Sequence, residues 1–456
     1  MEIKLPHKLI SSLEKIKGFD KEAFEKVHAS GEQITSVRFN PLKLSIINYQ
    51  LSIDSNIPWS SHSYYLDKRP SFTLDPLFHA GTYYVQEASS MFLEEILKQT
   101  VALSKPLRIL DLCAAPGGKS TLIQSLINSD SLLVSNEVIK SRVNILTENI
   151  IKWGADNVIV TNNDPKDFLR VENYFDVIII DAPCSGSGLF RKEPDAINEW
   201  SEENVNLCNQ RQQRIIGDVM PALKQNGILI YSTCSYSKEE DEDILDWMIT
   251  EFDFNSIPLK RDENWNIVET VSEKTNGYGY RFYPDKLKGE GFFIAALQRK
   301  EGADFYFPKT KKNNAEKLTK NEEVIVKKWI SDKADLIFFK KNDLVYALPS
   351  NLIDDLNFLR SSLYIKKAGV LLGKIAHDEL IPEHELALSN IINDNIRYID
   401  LSKEQSLNYL RKEEIKIETN LKGWCIVKYE NQNLGWIKIL QNRINNYYPS
   451  EWRIRM

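Results

Sequence analysis

Cysteine is scarce in this chain of 456 residues: Cys113, Cys184, Cys208, Cys234 and Cys425 are all there is, no two closer than 24 positions and none in a CxxC pair. An odd count at such spacing excludes a disulfide framework and a zinc ribbon, and it implies a reducing, cytoplasmic compartment. Glycine and proline are sparse as well, 19 and 17 residues, below the roughly 12% of an average chain, so long disordered linkers are not expected. The start, Met1 to His7, lacks an apolar signal region, and no stretch reaches the roughly 18 apolar residues of a membrane span. A strong charge of one sign is missing too. Lys and Arg number 58 against 64 Asp and Glu, a net charge of −6, which taken whole argues mildly against nucleic acid. No metal is expected: Glu239 to Asp243 reads as a helix N-terminus favoured by the macrodipole, and His377 and His384, without ligand spacing, read as loop histidines.

What is present is a globular composition, 42% hydrophobic and 27% charged, long enough for about three domains. Residues 1–75 read as a small α/β module, with helical spacing at Ile10, Leu13 and Ile16 and at Ala23 to Val27, and extended segments near Val37 and Ile53. Across 76–300 the rhythm becomes short apolar runs followed by helical stretches. Leu107–Leu112, Leu132–Ser135, Val158–Thr161, Val177–Ile180 and Ile228–Ser232 lack in-out alternation, as strands of a parallel sheet covered on both faces do. The expectation is a doubly wound, Rossmann-like α/β domain with its site beyond the carboxyl ends of the strands. A linker over 301–320, a small α/β accessory domain over 321–390 and a β-rich module over 391–456 complete the chain, the last with strand-like runs at Trp424–Tyr429 and Gly435–Leu440.

Where the first run meets the first helix stands Asp111-Leu112-Cys113-Ala114-Ala115-Pro116-Gly117-Gly118-Lys119-Ser120. A Walker A loop needs glycine where Cys113 stands, and Pro116 removes an amide donor, so an NTPase is disfavoured. The two glycines instead allow close backbone approach at a helix N-terminus, which suits the methionine end of S-adenosylmethionine. Glu137 follows Gly118 by 19 positions, near the roughly 20 at which an acid meets ribose hydroxyls. Asp164, after the third run, is placed to accept from an adenine amino group. Two further strand ends carry thiols: Asp181-Ala182-Pro183-Cys184-Ser185-Gly186-Ser187-Gly188 and Ser232-Thr233-Cys234-Ser235-Tyr236. A methyl donor beside a thiol nucleophile fits methylation of a pyrimidine at carbon 5, because a thiolate adding to carbon 6 makes carbon 5 nucleophilic. Asp181 can stabilise the charge shift on the ring, with Lys119 as its electrostatic partner. Spacing does not order the two thiols.

The phrases DLCAAPGGKS, DAPCSGSGLFRKEP and STCSYSKEEDE, with Tyr84 to Met91 and Arg38 to Lys43 upstream, resemble the Nol/Nop/Sun family of RNA 5-methylcytosine methyltransferases. The resemblance spans 38 to about 297 and implies a class I methyltransferase domain. It assigns Cys234 as the nucleophile and Cys184 as the residue that assists product release; DNA cytosine methyltransferases use the Pro-Cys cysteine instead, which would swap the roles. It implies cofactor contacts at Cys113, Ala114, Ala115, Pro116, Gly117, Gly118, Lys119, Glu137, Asp164 and Asp181. The segments after 300 resemble a bacterial branch that acts at the decoding site of 16S rRNA and carries a PUA-like RNA-binding tail; some of its members affect aminoglycoside susceptibility. That implies a monomer working on 16S rRNA or the 30S subunit, with 1–75 as a further RNA-handling module; an assembly factor with an idle methyltransferase domain, or a tRNA substrate, are the alternatives. Local charge agrees, since 299–341 and 421–456 carry +5 and +4. In the tail, Trp436, Tyr447, Tyr448 and Trp452 are expected to stack on bases while Lys438, Arg443, Arg453 and Arg455 meet phosphates.

Overall fold

The computed structural model describes residues 5–43, 51–303, 305–307 and 316–455. The apolar runs form the centre of a ten-stranded sheet. In chain order its strands are β1 (Arg108–Asp111), β2 (Leu132–Asn136), β3 (Val158–Thr161), β4 (Phe175–Asp181), β5 (Leu223–Thr233), β6 (Val268–Val271), β7 (Tyr278–Phe282), β8 (Phe292–Arg299) and β9 (Ile365–Ala368). The spatial order is β6-β7-β8-β5-β4-β1-β2-β3-β9, with Phe254–Ser256 added beside β8. Strands β1 to β5 are mutually parallel. From β1 the chain winds to β2 and β3 on one side and to β4 and β5 on the other, so the switch point opens a crevice at the carboxyl ends of β1 and β4. Helices α1 (Gly118–Leu126), α2 (Lys140–Trp153), α3 (Glu202–Val219) and α4 (Glu242–Phe252) connect this region. Residues on the two faces of the sheet enter two separate cores, one around Leu110, Ile178 and Leu229 and one around Ile109, Ile179 and Ile230, which is why these strands show no alternation.

Three sequence boundaries move. The N-terminal sheet, in the order 53–56, 63–66, 35–39, 83–85, takes its last strand from beyond residue 75, because Val37 pairs in register with Val85. The segment assigned to a separate accessory domain supplies β9, antiparallel to β3, and so covers an edge that would otherwise present unpaired backbone. Asp355 reinforces this junction: it is buried and receives Arg108 Nε and Nη2 at 2.6 and 2.7 Å and the Tyr174 hydroxyl at 2.6 Å. Within the expected linker, Phe305 packs on Tyr174 and Phe358, while 304 and 308–315 lie outside the described residues.

The tail forms a sheet of Tyr398–Asp400, Gly423–Tyr429, Gln432–Ile439 and Ile444–Asn446. Its core is shared with the N-terminal sheet: Val37, Phe39 and Tyr83 pack in one cluster with Tyr409, Val427 and Ile437. The stacking expectation for the tail aromatics is corrected here. Trp436 and Tyr448 are fully buried and Trp452 is partly buried against His384, so of the four only Tyr447 is exposed. His384 is likewise not a loop residue; it opens the short helix His384–Leu388 and is buried under Tyr448 and Trp452. Both differences have one cause, since aromatics that close a junction between modules look in sequence like aromatics offered to a ligand. Removing Asp355 should leave Arg108 without its buried counter-charge, so Asp355→Ala is expected to cost about 3–5 kcal/mol in urea unfolding. A loss below about 1 kcal/mol would mean that the 321–390 segment is not locked to the central sheet.

Candidate active site

The loop after β1 is held open by its backbone. Gly117 adopts φ +118°, a left-handed conformation that disfavours a side chain, and caps α1. The Ala114 N–H donates to the Asn136 carbonyl at 2.8 Å, and Asn136 Nδ2 donates to the carbonyls of Leu112 and Asn163 at 3.1 and 3.0 Å. One asparagine thus ties together the ends of β1, β2 and β3; nothing in the sequence reading marked it. A cavity of about 170 Å³ lies over this loop, walled on one side by Cys113 to Pro116, Gly118, Lys119 and Asp181 and on the other by Tyr84, Gln86 and Ser90 of the upstream motif. A Cβ on Gly118 would stand 3.4 Å from the Tyr84 ring and 3.5 Å from Gln86, in ordinary contact with the opposite wall.

Of the expected cofactor residues, Gly117, Glu137 and Asp164 stand outside this cavity's lining. Glu137 is buried, accepts from the Ile139 N–H at 2.9 Å, and lies 3.3 Å from Arg142, whose other nitrogen donates to the Ala115 carbonyl. Asp164 caps the 3-10 turn Pro165–Arg170 and lies 3.4 Å from Arg214. Half-exposed Val138 and Ile139, immediately after Glu137, offer an apolar surface that the sequence reading missed. Lys119 pairs with Asp181 at 2.8 Å, and Asp181 also accepts from the Ser232 hydroxyl at 2.8 Å. Arg38 is buried over the Trp153 ring and donates to Gln86, Thr121 and the Gly118 carbonyl, fastening the N-terminal module to the cofactor helix.

The two thiols meet. Cys184 Sγ and Cys234 Sγ are 3.1 Å apart, too far for the roughly 2.05 Å of a disulfide and close enough for a thiol to donate to a thiolate. The loops that carry them are clamped at Gly188, whose N–H donates to the Cys234 carbonyl at 2.9 Å and whose carbonyl accepts from the Gly291 N–H at 3.0 Å. A Cβ there would stand 2.4 Å from the Gly291 oxygen, so only glycine permits this approach. The hydrogen bond to Cys234, then burial, holds the Cys184 thiol well above its ordinary range. Behind Cys234, Arg281 donates to the Tyr236 carbonyl and to Glu242 and lies 3.1 Å from Asp241, all three buried. Cys208 and Cys425 are buried packing residues, and burial pushes the Cys113 thiol up. Among the described residues no cluster of His, Cys, Asp and Glu is arranged to hold a metal, and no helix is long and apolar enough to cross a membrane.

A parallel sheet with its switch point at β1, a glycine cradle at that point and acids at successive strand ends define an S-adenosylmethionine-dependent methyltransferase. Comparison with known proteins gives the branch. Residues 5–88 match the model for the N-terminal domain of 16S rRNA methyltransferase RsmF, 99–298 that for 16S rRNA methyltransferase RsmB/F, and 397–454 that for the methyltransferase RsmF PUA domain. The chain belongs to this RsmF family. It is 28% identical over 444 residues to the ribosomal RNA small subunit methyltransferase F of Vibrio vulnificus, covering 91% of this chain and 90% of that one. To its Escherichia coli O9:H4 counterpart it is 26% identical over 443 residues, covering 91% and 89%. A methyltransferase homolog from Pyrococcus horikoshii is 27% identical with a TM-score of 0.52, over 65% of this chain and all of that one. NSun6 from the same organism, solved with SFG, shares the fold at 20% identity and a TM-score of 0.54, over 65% of this chain and 98% of that one.

At the base of the cradle, Asp111 is fully buried and accepts from the Ser120 hydroxyl at 2.6 Å. Burial lifts its carboxyl to about 7, against the opposing pull of Ser120 and Lys119. An acid raised on folding keeps a proton that the unfolded chain has lost, so ionisation lowers stability as pH climbs from about 4 to about 7, and the loss is complete above that. Relative to Asp111→Asn, the cofactor-free wild type should lose up to ~1.4 kcal/mol per pH unit across this window in chemical denaturation. Parallel curves for the two proteins would contradict the burial argument.

Proposed function

We propose that this protein methylates carbon 5 of a cytosine in the decoding region of 16S rRNA through a covalent adduct between Cys234 and carbon 6. The observation that carries this reading is the 3.1 Å approach of two thiols on strands adjoining the cofactor cavity. Carbon 5 of cytosine is too weak a nucleophile to be methylated unaided. The Cys234 thiolate adds to carbon 6, the carbon 5–carbon 6 π pair shifts to carbon 4–carbon 5 with the negative charge passing to N3, and carbon 5 becomes enamine-like. Asp181, fixed by Lys119 and Ser232, accepts from the amino group of the ring and orients it, while Lys119 beside it offsets the displaced negative charge. Bound S-adenosylmethionine supplies an electrophilic methyl group to carbon 5. Cys113 through Lys119 hold its methionine end, Glu137 its ribose, and Asp164 with Val138 and Ile139 its adenine.

Release falls to Cys184. Once Cys234 is tied up in the adduct, Cys184 loses the hydrogen bond to it that kept the thiol protonated and gives its proton to solvent. It then takes the proton from carbon 5; the electrons of that bond rebuild the double bond and expel Cys234 as thiolate. One proton leaves per methyl group transferred, so the cycle closes with both sulfurs restored.

Docking of the RNA rests on the tail. Arg443, Arg453 and Arg455 are exposed there, and Arg443 lines a groove of about 630 Å³ between residues 413–419 and 439–446. Tyr447, the exposed one of the four rings, is available for stacking, while Lys438 lies over Trp424. Work on 16S rRNA or the 30S subunit places the protein in the bacterial cytoplasm.

Incubation with tritiated S-adenosylmethionine and either naked 16S rRNA or 30S subunits should label cytosine in the wild type. Cys234→Ala should give neither product nor adduct, whereas Cys184→Ala should accumulate a protein–RNA adduct on a denaturing gel. The opposite pattern would exchange the two roles, and no labelling of either substrate would leave an RNA-binding assembly factor as the better reading.

A further inference from the structure

Glu240 lies in the loop between β5 and α4 with no exposure to solvent. Four donors converge on its carboxylate: the Ser185 N–H at 2.8 Å, the Ser185 hydroxyl, the Ser235 hydroxyl at 2.6 Å and Gln212 Nε2 of α3 at 3.2 Å. Ser185 directly follows Cys184, and Ser235 directly follows Cys234. The Tyr231 hydroxyl donates to the Glu240 carbonyl at 2.7 Å, so the Glu240 backbone is itself anchored to β5, the strand that leads into Cys234. A buried carboxylate is costly unless it is well satisfied, and here the satisfying groups are the neighbours of both sulfurs.

We infer that Glu240 is a positioning residue that fixes Cys184 against Cys234 and thereby governs release of the covalent adduct, an inference that rests on the thiol roles proposed above. The two loops depend on it unequally. Besides the bonds at Ser187 and Gly188 that the two loops share, the Cys234 loop keeps ties of its own: the Ser235 N–H donates to Thr233 Oγ1 at 3.3 Å, the Ser237 N–H to Ser235 Oγ at 3.0 Å, and the Tyr236 carbonyl accepts from buried Arg281 at 2.9 Å. On the Cys184 side, the N–H and the hydroxyl of Ser185 both end on Glu240, and Gln212, which also holds the Pro183 carbonyl at 3.1 Å, is steadied by the same carboxylate. Loss of Glu240 therefore loosens the releasing thiol more than the attacking one. Glutamine can replace it without orphaned partners: its oxygen can face the Ser185 N–H and Gln212 while its amide group donates to the two serine oxygens.

The test compares Glu240→Ala, Glu240→Gln, Cys184→Ala and wild type on the RNA substrate, reading product and gel-stable adduct together. In Glu240→Ala the ratio of adduct to product should rise by at least about tenfold, towards that of Cys184→Ala, and Glu240→Gln should bring it back near the wild-type ratio. A residue that served folding alone would lower adduct and product in parallel. That parallel fall, or an unchanged ratio, with Cys184→Ala still trapping adduct, would overturn the positioning role and leave the thiol roles standing. Failure of Cys184→Ala to trap adduct would overturn the thiol roles, and this inference with them.

Discussion

Two sulfurs 3.1 Å apart cannot both carry a full negative charge, and this constraint organises the site. The hydrogen bond to Cys234, then burial, raises the Cys184 thiol, so its proton is hard to remove while the two sulfurs stay in contact. The contact exists because strand ends β4 and β5 are neighbours in a parallel sheet, which delivers both loops to one edge of the crevice. Gly188 lets the loops touch backbone to backbone, and Arg281 with its buried carboxylates holds the Cys234 loop from behind. Asp181 and Ser232, hydrogen-bonded across the same two strands, join the thiols to the cofactor cavity.

The outer modules are bound into this arrangement. Arg38 reaches from the N-terminal sheet to the first turns of α1, and the upstream Tyr84 and Gln86 form a wall of the cofactor cavity. The first two helices of the chain, His7–Leu13 and Lys21–Ala29, pack through Leu9, Leu13 and Phe24 on Phe190, Tyr236 and Tyr283, directly behind the Cys234 loop. The tail shares its core with the N-terminal sheet. The tail surface proposed above to dock RNA is therefore in packing contact with elements that shape the site.

Much of this was legible from the residues. Five apolar runs became the parallel strands because burial on both faces removes alternation, and the glycine-rich loop and the two Cys loops carry signatures dense enough to place the site. Pairings between distant segments were not legible: nothing in Ile365–Ala368 specifies β3 as its partner, and residue 75 looks like a boundary only until Val37 meets Val85. Burial of polar and aromatic groups was the other blind spot. Glu240 belongs to a run of five acids that reads as a helix N-terminus, and α4 does start at Glu242, but the pattern does not show that Glu240 and Asp241 are wholly enclosed. Trp436 and Tyr448 stand among basic residues in sequence and inside a core in space.

The most direct test of the thiol roles is to trap the adduct and locate it. RNA carrying 5-fluorocytosine at the target position has no carbon 5 proton to lose, so the adduct should persist after methylation. Digestion and mass spectrometry of wild-type protein bound to such RNA should place the methylated nucleotide on Cys234, with Cys184 unmodified. A nucleotide on Cys184, or no covalent species under conditions that methylate ordinary RNA, would contradict the division of labour between the two sulfurs.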